Sequence, residues 1–317
     1  MKFLSALILV TLAQASYANA PEWFSDYVKK FPGCDTELLC SVGEGETLAD
    51  ALSEARGEVA KFFQAKIQSK SQVSVSSEQK GTNVADASVD EWTNKTSSVE
   101  TSELISGLEI RKQEQADGRY YVLMTLERQK TAGLLKEKIL ELDTENSQLL
   151  ELNSRFAYPK ILKNLAMIEP YNDRYTLLAR TAISLKVKKE TIQQKINKLT
   201  PMKMALVTKG KKLPAKLSHE LIAMLSPLKV VIVAKKHAPP YTLRGEIVAE
   251  EQYFKVDGFK KLNVVYKLEL LNSQNVVIGK MSTMSEQVAR NIDHALEKAL
   301  PEITEALKNN LDQLSSK

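Results

Sequence analysis

The stretch from Leu38 to Phe63, LLCSVGEGETLADALSEARGEVAKFF, decides how the chain is read: a short apolar run breaks at Gly43 and Gly45, and a helical pattern follows. Leu48, Ala51, Leu52, Ala55, Val59, Phe62 and Phe63 recur at intervals of three and four, while Asp50, Glu54, Gly57 and Lys61 fall on the other side. The pattern predicts a strand, a turn at the two glycines and a helix with one buried face. Thr47 is placed to accept the backbone N–H of Asp50, and Asp50 puts negative charge in the first turn, where the helix dipole favours it. Packed on a sheet at roughly 1.5 kcal/mol each, the apolar side chains supply on the order of 10 kcal/mol before chain entropy is subtracted. This helix is expected to form the core of a first domain.

Gly43-Glu44-Gly45 between a strand and a helix also invites a dinucleotide reading. The fingerprint needs a third small residue three places on, where Leu48 stands, and Glu44 and Glu46 would face a pyrophosphate. The reading kept is a plain strand-to-helix turn, with no cofactor.

The 317 residues are 43% hydrophobic and 26% charged, ordinary for a globular protein and long enough for two domains. At the N-terminus MKFLSALILVTLA has one lysine followed by an apolar run too short to span a bilayer, which reads as a cleaved signal peptide. Cleavage is placed after Ala18, giving residues 1–18, because Pro21 would follow the alternative site at Ala20. No cysteine lies near the junction, and a lipid-anchored precursor needs one there. The expectation is a soluble periplasmic protein, peripheral at the outer membrane, with no later transmembrane segment.

Cys34 and Cys40 are the two cysteines, six positions apart in FPGCDTELLC. Export to an oxidising compartment favours a disulfide, and Pro32-Gly33 supplies a bend that brings them together. C-x5-C is not the redox C-x-x-C, and two thiols without a neighbouring histidine make no zinc site.

Along the chain, Trp23 is expected to pack on the edge of the first domain, the rival role being an aromatic for a partner. Gln72 to Glu78 alternates Val73 and Val75 with serines and predicts a strand. Residues 80–104 read as a mobile excursion or an exposed strand pair. Leu108 to Gln115 and Arg119 to Leu126 flank Asp117-Gly118, a strong hairpin signal, and the second arm is apolar on both faces, so it is expected at the centre of its sheet. Thr131 to Arg155 is helical, with Leu135, Ile139, Leu142 and Leu149 near heptad spacing and Asn146 interrupting. It is either a packed connecting helix or an oligomerising one. Helices continue over Tyr158 to Leu185 and Lys188 to Leu199, with Pro159, Pro170 and Pro201 as boundaries.

A second unit is expected from Pro201. It has strands at Met202 to Thr208, Lys229 to Ala234 and Tyr241 to Glu251, and a helix at Leu213 to Leu225. A hairpin at Asp257-Gly258 leads into Leu262, Val264, Tyr266, Leu268 and Leu270, and Val276 to Met281 forms a last strand. Ile292, Leu296, Leu300, Ile303, Leu307 and Leu311 mark a closing amphipathic helix. The fold class is α+β: a domain at 19–130, a helical connector at 131–200 and a second α+β domain at 201–317.

The search for catalysis and for metal sites is negative. His219-Glu220-Leu221-Ile222-Ala223 starts like a zinc-protease helix but has Ala223 where the second histidine must ligate. The three histidines, His219, His237 and His294, supply no multi-histidine site, and His219 beside apolar residues reads as structural. Neither a G-x-S-x-G nor a P-loop run is present. No enzyme activity is expected.

Charge is uneven around the total of +5. Residues 19–127 hold 11 basic and 19 acidic side chains, net −8, whereas residues 185–236 hold 13 basic and 2 acidic, net +11. Every basic residue in the second stretch is lysine, which suits diffuse attraction rather than bidentate recognition. Lys203, Lys209, Lys211, Lys212 and Lys216 are taken as a basic interaction surface, the rival reading being a solvated face. Its partners would be an anionic membrane or cell-wall surface, or the acidic first domain of another copy in a homo-oligomer. Nucleic acid does not suit an exported chain.

Over residues 21–135, Val42-Gly43-Glu44-Gly45, the helix with Ala51, Ala55 and Ala60, the Val73 and Val75 segment and the strand from Gly118 to Leu123 resemble the bacterial outer-membrane lipoprotein domain of the flagellar lipoprotein P type. Leu243-Arg244-Gly245-Glu246, the alternating strand and the closing helix resemble the TolB N-terminal type of domain shared with LpoB and CsgG. The whole arrangement is similar to the flagellar assembly protein T family. The resemblance implies a non-enzymatic periplasmic protein that assembles or stabilises an outer-membrane-associated complex such as the flagellar basal body, with envelope proteins and flagellar ring components as partners. The alternative it implies is a regulator that binds a cell-wall synthesis enzyme.

Overall fold

A computed structural model describes residues 20–34, 36–75, 107–210 and 214–315. The expected signal peptide at 1–18, the segment 80–104, and Lys211 and Lys212 lie outside the described residues. The fold is α+β, and the described residues form one three-stranded and one five-stranded sheet. The described residues group into two compact units: 20–75, 107–134 and 177–180 in the first, 135–176 and 181–315 in the second.

The first unit opens with two short helices, α1 (Glu22–Ser25) and α2 (Tyr27–Lys30), then β1 (Leu38–Gly45) and the long helix α3 (Leu48–Val75). The start of α3 is capped in both directions: the Asp50 N–H donates to Thr47 Oγ1 at 3.2 Å and the Thr47 N–H donates to Asp50 Oδ2 at 3.2 Å. β2 (Glu109–Ala116) and β3 (Arg119–Glu127) form the expected hairpin. Asp117 (φ 48°) and Gly118 (φ 79°) both take the left-handed conformation that a tight two-residue turn requires. The strand order β1-β3-β2 puts β3 at the centre, and six of its residues in a row, Tyr121 to Leu126, are buried.

Two expectations change here. Val73 and Val75 lie in α3 and not in a strand: once nucleated at Thr47, the helix gains a hydrogen bond per residue, and the alternating serines and valines are carried along. The helical stripe also narrows, with Ala51, Ala55, Val59 and Phe63 buried while Leu48, Leu52 and Phe62 are half-buried.

Helix α4 (Arg128–Glu151) leads to a 3₁₀ turn and to α5 (Tyr158–Ala179), followed by α6 (Lys189–Asn197). Leu135, Ile139 and Leu149 of α4 are buried, as are Asp143 and Asn146, while Leu142 is half-buried. Helix α5 was expected to reach Leu185 and to break at Pro170, but it passes through Pro170 and ends at Ala179, where Arg180 turns left-handed (φ 61°). The segment that follows is tied by side chains. Asn172 pairs with both backbone groups of Ile183 at 2.9 Å, and Asp143 accepts the N–H groups of Lys186 and Val187.

The second sheet contains β4 (Met202–Lys209), β5 (Val230–Ile232), β6 (Tyr241–Gln252), β7 (Lys260–Asn272) and β8 (Val277–Ala289) in the order β5-β4-β6-β7-β8. β4 runs parallel to β5 and β6, and the remaining pairs are antiparallel. β8 continues past the expected end at Met281, because it pairs with β7 as far as Ala289. Helices α7 (Ala215–Leu225) and α8 (Ile292–Asn310), with a closing 3₁₀ turn at Leu311–Leu314, pack on one face of this sheet. The buried line of α8 runs through Ala295, Ala299, Ile303 and Leu307; Ile292 is exposed, and Leu296 and Leu300 flank the core half-buried. Small alanines let the helix axis approach the strands, so its contact line is shifted from the large residues.

Candidate interaction surfaces

In the first unit the glycines sit inside β1, and their role is contact with the helix. A Cβ on Gly43 would lie 2.1 Å from the Ala51 carbonyl oxygen and 2.5 Å from the Ala55 nitrogen, and one on Gly45 would lie 2.5 Å from the Ala51 nitrogen. Alternate strand positions share a face, so the two glycines together make the groove into which α3 settles. A phosphate-binding turn is thereby ruled out at this position, because helix backbone occupies the space.

The opposite face of the same sheet carries Cys40 with Tyr121 and Leu123, covered by Trp23 and the Cys34 side of the disulfide. Cys34 and Cys40 are joined, with their Cα atoms 5.5 Å apart, so both cysteines of the sequence are committed to this bridge. Trp23 is 6% exposed, donates its indole N–H to Glu114 Oε2 at 2.6 Å and lies under the Lys112 ammonium, 4.9 Å from the ring centroid. It is an internal anchor. Phe24 and Phe31 meet it edge to face, and Phe24 meets Tyr121 in the same way.

Residues 21–127 match the LPP20 lipoprotein family. The match ends at Glu127, the last residue of β3, and so stays within the first sheet and its coverings. No curated protein matches the chain. Among solved structures, a secreted protein of Helicobacter pylori is 12% identical, with a TM-score of 0.35 over 87% of this chain and 97% of its own. A minor lipoprotein of Acinetobacter baumannii is 13% identical, with a TM-score of 0.27 over 36% of this chain and 92% of its own. The PelC dodecamer of Paraburkholderia phytofirmans is 16% identical, with a TM-score of 0.23 over 37% of this chain and 90% of its own. Likenesses this loose establish neither fold nor function.

In the second unit, of the lysines expected to form one surface, Lys203 and Lys209 lie on a different side of the sheet from Lys216. Met202, Met204 and Leu206 of β4 face the core beneath Leu217, Leu221 and Leu225 of α7, so Lys203 and Lys209 point from the opposite face of the sheet. Lys216 is exposed on α7 and therefore belongs to the covered side. That open face is also partly neutralised. Lys209 lies 3.1 Å from Glu246, the Arg244 Nε donates to Glu269 at 2.8 Å, and Lys261 lies 2.8 Å from Glu286. Lys267 and Lys280 add exposed positive charge there. The sequence carried a signal for Lys267, which occupies an odd position in a strand whose even positions are apolar.

His219, His237 and His294 are each exposed, so His219 is not packed among the apolar residues beside it. Among the described residues no group of three His, Cys, Asp or Glu side chains is placed to hold a metal ion, and no helix is long and apolar enough to cross a membrane. Burial raises the Tyr266 phenol and the Asp312 carboxyl above their ordinary values and lowers Lys163 and Arg155. Arg155 uses its guanidinium to hold the carbonyls of Thr200 and Leu228, a packing role. A further feature escaped the sequence reading: the β6–β7 hairpin tip exposes Tyr253, Phe254, Val256 and Phe259. Four large apolar residues within seven positions of a turn were the available signal.

Proposed function

We propose that the protein is a non-enzymatic component of the bacterial envelope, exported to the periplasm, which assembles or stabilises an outer-membrane-associated complex such as the flagellar basal body. The observation that carries this reading is the lipoprotein-family match over residues 21–127, which coincides with the disulfide-linked first sheet. Structural disulfides are characteristic of proteins in oxidising compartments, which fits export. The sequence resemblance to the flagellar lipoprotein P and flagellar assembly protein T families supplies the basal body as the complex to test.

The test is deletion of the gene, scored for motility, basal-body rings in isolated envelopes and resistance to detergent. Loss of rings or motility is expected, and complementation should restore it. Normal behaviour in all three assays would refute the proposal. Intact rings together with co-purification of a cell-wall synthase would move the role to regulation of that enzyme.

A further inference from the structure

We propose that a lysine pole where the second sheet begins, built from Lys195, Lys198, Lys203, Lys229, Lys235 and Lys236, docks the acidic flank of α3 in a second copy of the chain. Three separate segments are drawn together at this pole. Lys195 lies in the last turn of α6 and Lys198 is its C-cap, while the Lys229 ammonium donates to the Asn197 carbonyl at 2.6 Å. Arg155 ties the same two segments through the carbonyls of Thr200 and Leu228. Lys203 stands opposite Val231 in the parallel pairing of β4 with β5, and the Val233 N–H carries that ladder on to the Met204 carbonyl. Lys235 and Lys236 follow two and three residues later in an exposed 3₁₀ turn, so their Cα atoms lie at most about 8 and 11 Å from that of Val233.

The charge at the pole is not compensated from within. Between Glu190 and Glu246 the sequence holds one carboxylate, Glu220, and it lies 3.8 Å from Lys308. The turn from Asn272 to Val276 carries no charge, Glu246 and Glu269 pair with Lys209 and Arg244, and Glu145 pairs with Lys160. Even with Glu151, Glu190 and Asp312 counted in full, the six lysines and Arg155 outnumber the carboxylates. Among the described residues Lys195, Lys198, Lys203, Lys235 and Lys236 take part in no ion pair.

A surface of matching chemistry stands on the first unit. Glu46, Asp50, Glu54 and Glu58 recur at intervals of four along one flank of α3 and the turn before it, and all four are exposed. Asp50 and Glu54 are held in place, by the Thr47 hydroxyl at 2.7 Å and the Glu44 N–H at 2.6 Å. The cations on this flank are Arg119, paired with Glu44, and Lys61, paired with Glu58; Arg56 falls on the far side of the helix. Like charges four apart on a helix repel, and covering the flank with cations relieves them. Single exposed ion pairs are worth little, so such a contact needs several at once, and both surfaces supply several. The inference does not rest on the envelope reading.

The experiment is sedimentation velocity of purified protein, wild type and variants prepared alike, over a range of concentrations. Wild type should grow in mass with concentration at about 0.1 M salt and return to single chains at about 1 M, where the screening length falls to about 3 Å. Lys235→Glu with Lys236→Glu should weaken association about tenfold or more, and so should Glu46→Lys with Glu58→Lys, because like charges then meet. Circular dichroism and the thermal midpoint should be unchanged in both. A chain carrying all four substitutions exchanges the two signs and should regain association. Lys255→Glu with Lys260→Glu, the same change of charge at the β6–β7 tip, should leave association intact. The proposal is overturned if wild type stays a single chain at low salt, if either pair of substitutions has no effect, if the chain with all four stays dissociated, or if the tip variant loses as much. Single chains that instead sediment with phosphatidylglycerol vesicles through Lys235 and Lys236 would give the pole to a membrane and also overturn it. Association is read on purified protein, so its failure leaves the deletion phenotype intact, and a silent deletion leaves the sedimentation result intact.

Discussion

β3 and β6 are both interior strands, yet β3 is buried along both faces while β6 buries one and leaves the other half in water. The first sheet has three strands of eight or nine residues, too small to bury a sufficient core on one side. It therefore packs α3 against one face and an aromatic cluster with a disulfide against the other. In the second sheet β6, β7 and β8 run to twelve or thirteen residues, and one face beneath α7 and α8 suffices. Its other face keeps cross-strand ion pairs such as Arg244 with Glu269, which water accommodates at little net gain or loss. The comparison teaches that covering both faces is a consequence of size: the smaller sheet needs its second cover to be stable, and the larger one is free to offer a face.

The largest effect should come from closing the groove under α3. Gly43→Val places side-chain atoms into the Ala51 carbonyl and Ala55 nitrogen, which are backbone and give way only if the helix lifts. A loss of about 3 kcal/mol or more is expected, read as loss of hydrogen-exchange protection in β1 and β3. Retained protection would break the comparison, because the helix face would then not be what holds the first sheet.

Removing the opposite cover should cost less. Replacing Cys34 and Cys40 together by alanine releases a short loop, and about 2 kcal/mol of the first unit's stability should go with it in urea unfolding. Protection in β7 should be unaffected. An equal loss there would mean that the two units do not unfold as separate bodies.

The smallest effect concerns the turn at Leu311–Leu314 that closes over Gly279, where a Cβ would meet the Leu314 carbonyl. Burial raises the Asp312 carboxyl above its ordinary value. A carboxyl held higher in the folded than in the unfolded chain binds its proton more readily when folded. Its contribution to stability is therefore fullest in acid and is lost as pH rises from the unfolded value through the folded one. Asp312→Asn should give a small rise in urea midpoint at neutral pH that vanishes near about pH 3. A fall at neutral pH would mean that the carboxylate is a needed partner in that turn, and the one-face cover of the second sheet would then rest on a polar contact as well.

The sequence by itself determined the features whose energetics are local. Periods of two and of three to four placed most strands and helices, Thr47 and Asp50 announced the start of α3, Asp117-Gly118 announced the hairpin, and Cys34 and Cys40 announced their bridge. In each case the responsible atoms lie within a few residues of one another. Tertiary structure alone decided that Gly43 and Gly45 are contact positions, that Val73 and Val75 extend a helix, and that Lys216 is parted from Lys203 and Lys209 by the thickness of a sheet. It also decided that Tyr253, Phe254, Val256 and Phe259 stay uncovered. The physical reason is that burial depends on which elements arrive on a face from far along the chain, and composition at a position does not reveal which face will be covered.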